Sequence, residues 1–103
     1  MRSAWVNMHF ERAGVLEELV QGKQYRFTYL EEYEGEPISR IMPLDGSPYE
    51  FDRFPPFFDG LLPEGIMLDG LLRQKKIDRN DMFSQLLAVG QEMVGAVTVE
   101  EIS

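Results

Sequence analysis

FPPFFDGLLPEG, residues 54–65, is the most informative stretch of this 103-residue sequence. Proline is tolerated in the first turn of a helix but disfavours any helix that would run through it, so these prolines delimit one short element. We therefore predict a helix over residues 54–62 that ends at Pro63. Side chains at positions i, i+1, i+4 and i+5 share one side of a helix. Four residues have this spacing and are predicted to form one apolar face, as in a core helix: Phe57, Phe58, Leu61 and Leu62.

Composition bounds the class of protein. A single domain spanning residues 1–103 is expected at this length, and the 44% hydrophobic content is that of a globular protein. The sequence has no cysteine, which excludes disulfides and fits a reducing compartment. Residues 1–10 include polar side chains where a signal peptide would be apolar, and no run is long enough to span a bilayer. We therefore expect a cytoplasmic protein with no membrane partner.

The net charge of −8 limits the kinds of partner. Binding to a nucleic-acid backbone depends on lysine and arginine, and here 10 basic residues are outnumbered by 18 acidic ones. We therefore predict no direct contact with nucleic acid. The acidic surface is expected either to keep the protein in solution or to meet a partner with a basic face.

The first third of the chain alternates apolar and polar residues, which is typical of strands. We predict strands over residues 4–10, 15–20 and 25–29, with a break at 11–14 and a hairpin connection at 21–23. Strands joined this tightly form an antiparallel meander. The first strand is predicted to place four apolar residues on one face: Ala4, Val6, Met8 and Phe10.

The rest of the chain is predicted to be mainly helical. A solvated loop is expected over 31–37, a brief edge pairing within 38–44 and a turn over 45–48. Two further helices are predicted over 65–75 and 80–89. The result is an α+β domain, in which a small, mainly antiparallel sheet has about three helices packed on one face. Alternating residues predict the final strand: Met93, Gly95, Val97 and Val99.

The two longer helices carry recognisable end signals. Basic residues at the end of the second helix suit the negative pole of the helix dipole. Asp78 or Asn80 is predicted to cap the start of the third helix, and Gly90 is predicted to end it in a left-handed conformation. Three leucines form the predicted core stripe of the second helix: Leu68, Leu71 and Leu72.

The residue types that catalysis requires are scarce. His9 is the only histidine, so a nucleophilic triad would lack a base and a zinc site would lack ligands. The Gly22-Lys23 pair lacks the glycine spacing of a phosphate-binding loop. Asp59 is interpreted as tying the loop beside its helix, and Glu64 as a favourable charge in the first turn of the next helix. We predict no catalytic, metal or cofactor site, and hence no enzyme.

Three motifs together resemble the N-terminal subdomain 1 of the HipA-family toxin kinases. The first is FFDGLLPEG at residues 57–65, which precedes a helix in that family. The second, DMFSQLLAVG at 81–90, resembles a family helix that ends in glycine, and the third, QEMVGAV at 91–97, resembles the closing strand. Upstream, the paired strands and an IMPL turn at 41–44 follow the order expected of that family, so the resemblance extends over nearly the whole chain. The resemblance gives these residues as motif positions of the fold: Phe57, Phe58, Asp59, Leu61, Leu62, Gly90 and Gly95.

The resemblance implies a role without catalysis. In HipA-like kinases the nucleotide loop, the catalytic aspartate and the metal ligands all lie beyond the subdomain matched here. The family includes split, three-gene HipBST systems, in which a small HipS-type antitoxin pairs with a kinase toxin, HipT, and a DNA-binding protein, HipB. The chain is thus expected to bind and inhibit a HipT-like Ser/Thr kinase, at its docking face or active-site cleft. A HipB-like protein would complete the ternary complex.

Two alternatives stay open beside the antitoxin hypothesis. One is a subunit that completes or stabilises a kinase without inhibiting it. The other is an adaptor module whose resemblance extends to the fold alone, since a fold does not determine function. A neighbouring kinase gene that lacks this subdomain would favour the split system.

The kinase contact is predicted at a corner, defined as residues 63–67. Pro63 and Gly65 restrict the backbone there, with Glu64 between them, and Ile66 and Met67 follow directly. The leucine stripe already supplies a core face, so Met67 is expected to point away from it, and its flexible thioether suits an adaptable contact. Two arrangements are open at this point. The apolar pair either projects toward the kinase or packs beneath the neighbouring helix.

Overall fold

The computed structural model describes residues 1–92 and 95–102, which fold around one five-stranded sheet. Each neighbouring pair of strands is antiparallel. The strands are β1 (Arg2–Met8), β2 (Glu11–Val20), β3 (Gln24–Tyr29), β4 (Tyr49–Phe51) and β5 (Val97–Glu101). Their order across the sheet is β4-β3-β2-β1-β5, so the last strand in sequence pairs with the first.

Three helices lie between β4 and β5 in the chain: α1 (Pro56–Asp59), α2 (Gly65–Lys75) and α3 (Met82–Val89). α1 packs on the sheet through Phe58, whose ring centroid is 5.9 Å from that of Phe27. α3 packs against β5, and α2 packs mainly against α3. The α+β class predicted from the sequence is confirmed. Of the helices in the described part of the chain, none is long and apolar enough to cross a membrane.

The core lies between the helices and one face of the sheet. Alternate residues of a strand point to the same side, so every second residue of β3 is buried. Each fully buried large apolar side chain stabilises the fold by about 1.5–3 kcal/mol relative to an exposed one. The largest fully buried apolar side chains come from sheet, loop and helices alike: Leu16, Phe27, Met42, Phe58, Phe83 and Leu86.

The turn between β1 and β2 differs from the prediction. His9 and Phe10 have φ values of 51° and 69°, which form a tight turn, and β2 begins at Glu11 where a break was predicted. Two consecutive left-handed residues are the geometry of a two-residue hairpin connection. Phe10 is therefore 94% exposed, and its predicted place on the buried face was wrong.

The edge of the sheet also differs from the prediction. Residues 38–44 contribute one isolated bridge, between Ser39 and Met42, whereas the edge strand is β4, which the sequence did not indicate. A three-residue strand is too short to show a period. The preceding loop is partly buried, because Tyr33 packs into the core and the Tyr29 hydroxyl donates a hydrogen bond to the carbonyl of Met42 at 2.5 Å.

α1 is shorter than the predicted helix over 54–62. A residue that precedes proline is disfavoured in the helical region, so the consecutive prolines delay the first helical residue to Pro56. Beyond Asp59 the chain continues as turns. Phe58 and Leu62 are buried as predicted, whereas Phe57 and Leu61 are half-buried and pack on the edge of the core.

The start of α3 is capped by a different residue from those predicted. Asp81 takes this role, because its Oδ1 accepts a hydrogen bond from the backbone N–H of Ser84 at 3.2 Å. Neither Asp78 nor Asn80 caps the helix. Asp78 instead accepts a hydrogen bond from the N–H of Asn80 at 2.7 Å, one turn earlier.

Gly90 at the end of α3 was wrongly predicted to be left-handed. Its φ of −55° is helical, and its N–H donates to the carbonyl of Leu87. Glycine is needed there for close approach, since a Cβ would lie 2.1 Å from the carbonyl oxygen of Val99. The N–H of Val99 donates to the Gly90 carbonyl at 2.9 Å, which joins α3 to β5.

The final strand begins later than predicted. β5 starts at Val97, and Gly95 lies before it, exposed, with a φ of 113° that glycine tolerates best. The predicted strand residue Met93 lies outside the described residues. The alternation of buried Val97 and Val99 agrees with the prediction.

A partly buried ion-pair network joins the sheet to α3. Arg2 donates through Nε to Glu18 at 2.7 Å and through Nη2 to Asp81 at 2.9 Å. Burial raises the pKa of Glu18, but hydrogen bonds from Arg2, the Gly22 N–H and the Tyr25 hydroxyl outweigh it and hold that pKa below its ordinary value. Burial and the nearby Glu18 charge raise the pKa of Tyr25 to about 12. The network is structural, since all its members are occupied with one another.

Candidate partner-binding surface

The corner at residues 63–67 joins α1 to α2. Pro63 is half-buried, and Glu64 is exposed with extended backbone that precedes the helix. Gly65 has a φ of 59°, in the left-handed region where residues with a side chain are strained. The Glu64 side chain makes no capping hydrogen bond, so its contribution at this helix end is its charge.

The structure distinguishes between the two arrangements left open for the apolar pair. Ile66 is 88% exposed and Met67 is 74% exposed, so neither packs beneath the neighbouring helix. Burying such side chains in a partner would remove apolar surface from water at about 25 cal/mol per Å². The corner therefore has the exposure that a contact surface requires, while its role in binding a partner stays a prediction.

α2 is attached to the domain by one side only. Its three predicted core leucines are half-buried, and no residue of the helix is fully buried. A helix that packs on one neighbour through a half-buried face leaves its other side unpartnered. The leucine stripe was thus predicted on the correct side, but it is less deeply buried than the sequence indicated: Leu68, Leu71 and Leu72.

Gly70 lies in the middle of α2 on the exposed side. A Cβ at this position would meet no atom within 4 Å, so nothing in the described chain requires glycine there. Glycine in a helix interior is roughly 0.8–1 kcal/mol less favourable than alanine. The sequence analysis missed this residue, although an isolated glycine within a helical pattern was the signal that would have drawn attention to it.

The end of α2 is the basic part of an acidic protein. Arg73, Lys75 and Lys76 are exposed, and none forms an ion pair within residues 1–92 and 95–102. By contrast, Arg79 in the following loop is paired with Asp69 at 2.6 Å. The sequence analysis explained the basic residues at this end by their favourable interaction with the helix dipole. That interaction accounts for their positive charge and does not prevent the same side chains from binding a partner.

A cleft of about 550 Å³ lies beneath the corner, between α1 and the start of α3. Leu62, Glu64 and Met82 are among the residues that line it. Its inner wall includes the buried Gln85, whose amide donates to the carbonyl of Arg79 at 2.9 Å and so fixes the loop before α3. In the described ranges no group of three or more histidine, cysteine or acidic side chains is arranged to hold a metal ion, so none of them marks the cleft as a metal site.

Asp59 and Gly60 border the same cleft. The predicted role of the Asp59 side chain in tying the adjoining loop was wrong: within residues 1–92 and 95–102 its carboxylate makes no hydrogen bond, and only its backbone carbonyl accepts from the N–H of Leu62 at 3.1 Å. Its carboxylate is exposed. Of the motif residues in this stretch, Phe58 and Leu62 are therefore buried in the core, whereas Asp59 is exposed beside the corner.

A family model described as the HipA N-terminal domain matches residues 4–100. The chain belongs to the HipA N-terminal domain family. A protein of Haemophilus influenzae (strain Rd), described only as an uncharacterized protein, is 37% identical over 101 residues, which are 98% of this chain and 93% of that relative. A solved N-terminal domain of HipA toxin is 33% identical, with a TM-score of 0.78, and the match covers 100% of this chain and 94% of that one.

These comparisons confirm the resemblance to subdomain 1 that was based on the three sequence motifs. The matches are to a HipA N-terminal domain and do not include a kinase domain. Within this domain the motif at residues 57–65 supplies Phe58 and Leu62 to the core and then leads into the exposed corner. One continuous stretch of sequence thus supplies both core residues and the exposed corner.

Proposed function

We propose that this protein is an antitoxin that binds a separate HipT-like Ser/Thr kinase and inhibits it. Membership of the HipA N-terminal domain family supports a component of a toxin–antitoxin system. This chain covers 93% of its Haemophilus influenzae relative, so that relative has no room for a kinase domain beside this one. A domain that docks on a kinase core can make the same contacts between two chains. The protein itself then needs no catalytic group.

The observation that carries the proposal is the exposure of Ile66 and Met67 on a restricted corner. Proline fixes the backbone φ at Pro63, and Ile66 and Met67 lie in the first turn of the formed helix α2, so little ordering is needed when the pair is bound. A specific interface of standard size buries about 1,600 Å² in total, and a few central residues dominate its energy. The corner supplies two such residues, which would block the docking face or the active-site cleft of the kinase.

The net charge of the chain explains why, in the proposed ternary complex, it would contact the kinase and not the DNA. With a net charge of −8 it would be repelled by a phosphate backbone, so DNA is reached through a HipB-like partner. The antitoxin then acts on the kinase alone, and the DNA-binding protein supplies repression. This arrangement agrees with the cytoplasmic location expected from the sequence.

The proposal is tested by co-expression with a HipT-like kinase in bacteria. The unmodified chain should restore growth, whereas Ile66→Asp combined with Met67→Asp should weaken binding by at least 100-fold and abolish rescue. Both residues are exposed, so the melting temperature should stay within about 2 °C of the parent's. Phe10→Asp combined with Ile41→Asp is the matched control, because these apolar residues are 94% and 74% exposed outside the corner.

The control separates a contact at the corner from a general effect of added charge. It should rescue growth as well as the parent does. Rescue that survives the change at Ile66 and Met67 would exclude the corner as an inhibitory element. Failure of the unmodified chain to rescue growth, with binding intact, would favour the non-inhibitory subunit, and failure to bind at all would refute the proposal.

A further inference from the structure

The outward side of α2 presents one line of residues. Ile66, Gly70 and Arg73 are spaced i, i+4 and i+7, so they share a side of the helix. All three are exposed, and they lie opposite the half-buried leucines that face α3. The line runs from an apolar end at the corner to a basic end at the C-terminus of the helix.

The centre of this line is a notch. Gly70 has no side chain, and the space that a Cβ would fill is open. One use of glycine within a helix is to permit close approach of another backbone. No described part of this chain approaches Gly70, although glycine weakens the helix. A close neighbour in another molecule would explain the glycine.

Charge identifies the chemistry of that neighbour. Four of the chain's 10 basic residues lie within residues 73–79, while the chain as a whole carries a charge of −8. Arg73 and Lys76 are exposed and form no ion pair with the described residues. A second copy of this acidic chain would be repelled overall. A partner with carboxylates opposite these two residues would be attracted and oriented.

We propose that a helix of the kinase crosses α2 at Gly70, with an apolar pocket for Ile66 at one end and an acidic patch opposite Arg73 and Lys76 at the other. The inference rests on the proposed function for the identity of the partner. It extends the contact surface from the corner along the full length of α2. Gly70 sets how closely the two helices approach, and the basic end sets their direction.

The first test uses a substitution with opposite effects on folding and on binding. Gly70→Ala should raise the melting temperature by about 4 °C or more, because alanine favours the helix. It should nevertheless weaken the binding of the purified kinase about tenfold, since a methyl group enters a close contact. If Gly70 had only a structural role, the substitution would not raise the melting temperature and weaken binding at the same time. Gln24→Ala, at an exposed position in β3 outside the proposed surface, is the control and should leave binding within about twofold of the parent's.

The second test reverses the basic end. Arg73→Glu combined with Lys76→Glu should weaken kinase binding about tenfold at low salt and make the affinity less dependent on salt. Lys23→Glu combined with Arg40→Glu, two exposed sites outside α2, makes the same change in net charge and should leave affinity within about twofold of the parent's. Affinity is measured by calorimetry at two salt concentrations with the full chain and the intact kinase.

The outcomes distinguish this inference from the proposed function. If the unmodified chain fails to bind the kinase, the proposed function fails first. If it binds and inhibits, but Gly70→Ala and the charge reversal bind as tightly as the parent, only the α2 surface is refuted. A dimer of the isolated chain that Gly70→Ala abolishes, seen by sedimentation, would assign the surface to a second copy and also overturn the inference.

Discussion

Replacing Phe58 with alanine tests whether α1 is a core element or a detachable binding element. Phe58 is fully buried, and its ring contacts those of Phe27 and Phe57, with centroids 5.9 Å and 5.1 Å away. Truncation of a fully buried phenylalanine costs about 3–5 kcal/mol, through lost burial and the cavity left behind. The free energy of unfolding of a domain is about 5–15 kcal/mol. The variant should therefore still fold, but with only a small free energy of unfolding left.

Urea denaturation at 25 °C measures this effect directly. With an m-value of about 1.5 kcal/mol per M, a loss of 3 kcal/mol lowers the midpoint by roughly 2 M. Phe57→Ala provides an internal comparison, because Phe57 is the neighbouring residue of the same type but is half-buried. It should cost about half as much or less, since less apolar surface is lost.

Two results would refute this account. If both variants unfold within 0.5 M of the parent, α1 does not contribute to the core as its burial indicates. If the two phenylalanines cost the same amount, the distinction between them is wrong and the helix is rotated relative to the sheet. A change in m-value would signal an altered unfolded or native state, and the midpoints would then not be compared.

Two further substitutions test the contacts that join α3 to the sheet. Gly90→Ala should destabilise the domain by about 2–4 kcal/mol, because its Cβ would lie 2.1 Å from the Val99 carbonyl oxygen; a midpoint equal to the parent's would contradict the close approach. Glu18→Gln should cost about 1–3 kcal/mol at pH 7. Because the folded pKa of Glu18 lies below its ordinary value of 4.5, the stability it contributes is present above pH 4.5 and is lost as the pH falls through the folded pKa. The difference between the urea midpoints of parent and variant should therefore narrow from pH 7 and 5 to pH 3, and a difference that is constant with pH would exclude the ion pair as its source.

The sequence by itself determined the class of the fold, the helix α2 and much of the strand pattern. These features have local causes. Alternation of Tyr25, Phe27 and Tyr29 defines β3 through the two-residue period of a strand. The bounds of α2, Gly65–Lys75, were predicted to the residue, because proline and glycine before it and the loss of apolar periodicity after it are signals within a few positions.

The corner was also located from sequence, but its exposure was not. Whether Ile66 and Met67 project or pack beneath a helix depends on how α2 lies against α3, which no local pattern specifies. Gly70 and the unpaired basic residues could be assigned to one surface only when the structure showed which side of α2 faces outward. A glycine in a helix has many explanations, and the structure removes those that lie within the described chain.

The tertiary structure alone decided which distant segments meet. The last strand, β5, pairs with β1, and Arg2 in β1 bonds to Asp81 at the start of α3. Gly90 was expected to end its helix in a left-handed turn, but it is helical and is needed for contact with Val99. The physical reason is the range of the forces. Backbone preferences act over a few residues and are visible in sequence, whereas close packing and ion pairs depend on distances in space that only the assembled chain establishes.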